Sequence, residues 1–63
     1  MNALHASKNI LALILFSTGV VMAELGDYPS ALKQFARTLE LDPHHKTALK
    51  HMQGAQKMMS ETR

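Results

Sequence analysis

The sequence predicts an all-α fold: an antiparallel helix-turn-helix hairpin followed by a third helix. Three observations carry that expectation. Ala31, Leu32, Phe35, Ala36 and Leu39 recur at three- and four-residue intervals, the period of one helix face. A thinner stripe of the same period runs through Ala48, Leu49, Met52, Ala55 and Met59. Gly26-Asp27-Tyr28-Pro29 and Asp42-Pro43 punctuate the chain where helices must stop and restart.

Size limits what such a fold can bury. The chain has 63 residues and no cysteine, so one domain is the maximum and no disulfide or thiolate metal site can brace it. Folds below about 70–80 residues usually need a staple, a metal or a partner. A partner is expected here: another protein chain, neighbouring repeats, or a second copy through self-association.

Local chemistry accounts for each element. Residues 1–8 read as a flexible N-terminal arm, with Ser7 or Asn9 able to cap the first helix. Residues 9–45 form the hairpin. Its first helix contains an apolar run from Ile10 to Ala23, closed by Glu24. Gly26 suits the left-handed residue that ends a helix, Asp27 suits an N-cap, and Pro29 suits a first helical turn. The second helix continues to about Leu41, where Pro43 disfavours helical geometry in Asp42. The third helix is expected over residues 46–59, weakened by Gly54 at about 1 kcal/mol relative to alanine. Residues 60–63 read as a polar tail.

The turn and the second helix resemble a tetratricopeptide repeat. The residues that carry the resemblance are Gly26, Asp27 and Tyr28 at the turn, Ala31 and Phe35 four apart, and the closing Leu39-Glu40-Leu41-Asp42-Pro43. Leu15, Thr18 and Gly19 fall on the family's first-helix positions, Met22 stands where an aromatic is usual, and Thr38 replaces a usual alanine. The resemblance implies one repeat over roughly 12–45, with Lys46 onward similar to the first helix of a following repeat. It also implies structural roles for Leu15, Gly19, Gly26, Tyr28, Ala31, Phe35, Leu39 and Pro43. Gly19 and Ala31 are small enough for close helix approach, with Tyr28, Phe35 and Leu39 filling the space around them.

Such arrays bind partners along a concave surface lined mainly by the first helix of each repeat. The corresponding positions here place Phe16, Val20 and Lys50 as candidate partner-binding residues. Phe16, Val20 and Gly54 depart from the Lys and Asn of the family's clamp for acidic chaperone tails. The implied function is therefore a protein–protein interaction or scaffold module with an apolar partner, without catalytic activity; the lack of cysteine fits a reducing compartment, so the cytoplasm is the expected location.

The run from Ile10 to Ala23 leaves alternatives. Fourteen helical residues span about 21 Å, short of the roughly 30 Å of a hydrocarbon core. A small subunit anchored to a membrane through residues 10–23 remains an alternative reading. So does a secreted fragment, because Lys8, the apolar run and Val21-Met22-Ala23 fit a signal peptide cleaved before Glu24. A helix sandwiched between neighbours is the third reading, and unlike a cleaved signal it keeps Leu15, Thr18 and Gly19 joined to the downstream motif.

No chemistry of catalysis is expected. His44 and His45 come just after a helix and His51 lies on the next; with Asp42 they match no zinc spacing, so neither metal nor cofactor is predicted. Glu24 with Asp27, and Glu40 with Asp42, lack the sheltered setting of acid–base pairs. Ser17, Ser30 and Ser60 have no base and orienter nearby in sequence. The net charge is +2, with residues 46–63 alone at +3 from Lys46, Lys50, Lys57 and Arg63 against Glu61. Those cations carry no interleaved aromatics, so nucleic acid is not an expected partner. Met52, Met58 and Met59 read as edge packing against a neighbour.

Because one and a half repeats cannot cover this much apolar surface, the isolated chain is expected to gain helicity on association. Circular dichroism over a hundredfold concentration range checks this. A cooperative melt independent of concentration would show instead that the core closes unaided.

Overall fold

A computed structural model describes residues 7–61. It contains three helices: α1 (Lys8–Glu24), α2 (Tyr28–Leu41) and α3 (Lys46–Glu61). The arm expected over residues 1–8 lies largely outside the described residues; its last two members already cap and open α1. The expected tail is shorter than residues 60–63, because Ser60 and Glu61 remain helical in α3.

The three helices begin in the same way. A side-chain acceptor one residue ahead of each helix receives the backbone N–H three residues on, which is otherwise an orphan donor. Ser7 Oγ accepts from Ile10 at 3.2 Å. Asp27 Oδ1 accepts from Ser30 at 3.3 Å, with Pro29 in the first turn where a missing N–H costs nothing. His45 Nδ1 accepts from Ala48 at 3.0 Å.

The α1–α2 turn is closed by a Schellman arrangement. Asp27 N–H donates to the Met22 carbonyl at 2.9 Å and Gly26 N–H to that of Ala23 at 3.0 Å. Gly26 adopts φ +86°, a left-handed conformation that costs a side-chain-bearing residue strain. At the far end of α2, Asp42 N–H donates to the Thr38 carbonyl before Pro43 turns the chain away. Both stops lie where the punctuation residues predict them.

The hairpin packs closely because its buried residues are small. Gly19, Ala12, Ala31, Ala48 and Ala55 are buried on the three helices; Phe35 and Thr38 are the largest fully buried side chains. Phe35 lies directly on Gly19: a Cβ there would stand 2.5 Å from Phe35 Cε1 and 2.8 Å from Cδ1. Tyr28, Leu32, Phe16, Val20, Met22 and Met52 pack around the Ala31–Phe35–Ala55 cluster. Thr38 is satisfied internally, donating its hydroxyl to the Gln34 carbonyl at 2.8 Å. Leu15 and Leu39 are half-buried and Pro43 is exposed in the α2–α3 turn.

Helix α2 packs along both neighbours, whereas α1 and α3 meet only locally. The Cα trace measures 47 × 21 × 12 Å, a thin slab in which no helix is surrounded. The solvent-accessible surface is 4706 Å². Among the described residues no helix is long and apolar enough to cross a membrane.

Two glycine substitutions should act in opposite directions. Gly19→Ala drives a methyl group into the Phe35 ring and is expected to destabilise by about 1–3 kcal/mol. Gly54, deep in α3, has nothing within 4 Å of an added Cβ. Gly54→Ala should therefore stabilise by about 0.5–1 kcal/mol through backbone entropy alone. Paired thermal melts read both signs, and a stabilising Gly19→Ala would refute the close approach.

Candidate functional site

The turn geometry leaves α1 and α3 diverging above α2, and the space between them is an open groove of about 690 Å³. Val20 and Ala23 of α1 form one wall. Tyr28 and Phe35 of α2 contribute to the floor; Ala55 and Met58 of α3 extend the apolar surface. The rim is charged with both signs: Glu24 from α1, and Lys50, Lys57 and Glu61 from α3. Gly54 lies on the α3 wall and leaves the groove wide there.

The groove is one place where apolar side chains stay uncovered within reach of charged ones. An entering segment could bury Val20, Ala23 and Met58 while its polar groups meet Lys50, Lys57 or the two glutamates. Such a surface favours a partner with apolar anchors and mixed polar flanks.

The three candidate partner-binding residues fall in two places. Val20 and Lys50 both line the groove, from α1 and α3. Phe16 stands one turn before Val20 and is half-buried in a ring cluster. Its ring centroid is 5.8 Å from that of Phe35, 5.1 Å from His45 and 5.0 Å from His51, the last edge-on. His51 also approaches Phe35 at 5.9 Å. Such offset and edge-to-face arrangements are the favourable ones for π systems.

Sequence reasoning missed this cluster, placing His45 just after one helix and His51 on the next without linking either to Phe16. His51 is exposed overall, yet one edge of its ring rests on Phe16, and its Nδ1 pairs with the Thr47 carbonyl at 2.9 Å. His45 both caps α3 and stacks on α1, so it ties the third helix to the first. The available signal was His45 standing immediately before a helix, three residues ahead of the amide it caps. His44 is exposed, with its backbone N–H on Asp42 Oδ1 at 3.3 Å. Among the described residues no three His, Cys, Asp or Glu side chains converge on a metal-sized site.

His45→Ala removes an N-cap and a ring contact together and should cost about 1–2 kcal/mol. His44→Ala should stay within about 0.5 kcal/mol. Denaturant midpoints of the two variants give the comparison, and equal effects would deny His45 its linking role.

Compared with known proteins, the chain matches no family model. No curated protein and no solved structure matches it either.

Proposed function

We propose that this chain is a protein–protein interaction module of the helical-repeat kind, acting by binding and not by catalysis. The observation that carries the reading is the groove between α1 and α3, lined by Val20 and Lys50 among others. Apolar walls with a charged rim are the anatomy of a recognition surface: anchors supply affinity and the rim supplies register. The partner class is a peptide segment or helix with one or two aliphatic or aromatic anchors. The floor of its site is built on the buried Phe35 ring and its close contact with Gly19. The tetratricopeptide resemblance supports the same assignment, since it independently gives Val20 and Lys50 to partner-binding positions. Phe16 then serves as a support beneath the wall instead of a contact.

Selection of binders from a displayed random-peptide library against the full chain tests the proposal. Enriched peptides are expected to carry apolar anchors and to lose at least about tenfold in affinity on Val20→Lys and on Lys50→Glu. Lys33→Ser, on the exposed side of α2, should leave binding unchanged. Binders insensitive to both groove variants, with helicity retained, would overturn the groove as the recognition surface.

A further inference from the structure

Helix α1 carries a second apolar surface, on the side turned away from α2 and from the groove. Ile10, Leu11, Leu13, Ile14, Val21 and Leu25 at the adjoining turn are 43–75% exposed. Together they present on the order of 600 Å² of apolar area, at the upper end of what monomers leave uncovered. This surface is independent of the groove and of the function proposed for it.

Its pattern points to a particular occupant. Ile10, Ile14, Ser17 and Val21 are spaced four, three and four residues apart, the seam spacing of paired helices. The middle of the seam is small: Ser17 and Thr18 lie between the bulky residues, and Thr18 Oγ1 already donates to the Ile14 carbonyl at 3.0 Å. The hydroxyl of Thr18 can therefore be covered without losing its partner. Large residues on both sides of a small centre are self-complementary about a two-fold axis passing between residues 17 and 18. That axis sets Ile14 against Val21 and Ile10 against Leu25 of the second copy.

Charge selects the direction of pairing. The only charged residues of α1 are Lys8 at its start and Glu24 at its end. Antiparallel pairing brings opposite charges together at both ends and opposes the two helix dipoles; parallel pairing brings like charges together at each. The area is also of the right order. With the flanking polar residues the face approaches the roughly 800 Å² per partner of a standard interface.

We propose that the outward face of α1 docks a second copy of this chain, antiparallel, with Ser17 and Thr18 at the two-fold axis. The resulting dimer would cover the helix that the isolated chain leaves half in water and would keep both grooves open.

The absence of cysteine from the chain makes the register directly readable. In the full chain, Ser17→Cys places two thiols about one residue apart along the axis and should oxidise to a covalent dimer. Ile14→Cys and Val21→Cys should each fail to do so alone, because seven residues separate the copies by about 10 Å, beyond the roughly 7 Å Cα limit of a disulfide. An equimolar mixture of those two variants should cross-link. Sedimentation velocity of the unsubstituted chain should show a monomer–dimer equilibrium, and Ile14→Lys with helicity retained should weaken it by at least about tenfold. Equal self-cross-linking at positions 14, 17 and 21 would mean parallel pairing and would overturn the proposal. A chain that stays monomeric at all concentrations, or that leaves solution as a monomer for phosphatidylcholine vesicles, would overturn it too.

Discussion

The Phe35 ring lies against the bare backbone of Gly19, and the hairpin is organised around that contact. Because Gly19 has no Cβ, α2 can lay its one large buried aromatic directly on α1. That approach sets the spacing of the hairpin, which a three-residue turn can span only with Gly26 in the left-handed region. It also fixes where Phe16 and His51 sit, since both rings rest against Phe35. The groove floor, the ring cluster and the packing of α3 all trace back to one missing methyl group.

A second consequence concerns α1 as a whole. Its residues meet three different surroundings around the helix. Ala12 and Gly19 are buried in the fold, Val20 and Ala23 line the groove, and Ile10, Ile14 and Val21 look outward. A helix asked to be apolar in all three directions has no polar face and hence no amphipathic signature. The same composition would suit a membrane segment, but Lys8 and Glu24 close α1 after 17 residues, or about 26 Å. Near-uniform hydropathy therefore belongs to a helix with three apolar sides, only one of which the fold itself covers.

The burial pattern explains why so little is covered. Among the described residues, four of the fully or nearly fully buried hydrophobic residues are alanines, each contributing modest apolar area, and Phe35 supplies the only large buried hydrophobic side chain. Burying one such side chain is worth about 1.5–3 kcal/mol, while ordering each residue costs about 1–2 kcal/mol. Local chemistry compensates in part. Three side-chain caps, a Schellman turn and the Thr38 back-bond satisfy groups that would otherwise oppose helix formation. This is a chain whose local signals are strong and whose core is thin.

Features governed by near neighbours were legible in the amino-acid order. They include the stops at Gly26 and Pro43, the cap at Asp27, the choice of Ser7 or Asn9 as the cap of α1, and the stripe through Ala31, Leu32, Phe35, Ala36 and Leu39. The reason is that turn chemistry and helical period act within four residues. The extent of α3 was less legible, because Gly54 and a polar end argue for fraying while the packing of Ala48 and Ala55 holds the helix to Glu61. Gly19 marked the side of α1 that meets α2, but how much of the remaining two sides α3 covers was settled only by tertiary packing. The same packing made His45, which stays in the loop, and His51, which stays exposed, ring partners of Phe16. Those outcomes depend on how α3 returns across α2 toward α1, and no periodicity along one helix encodes the angle at which another will meet it.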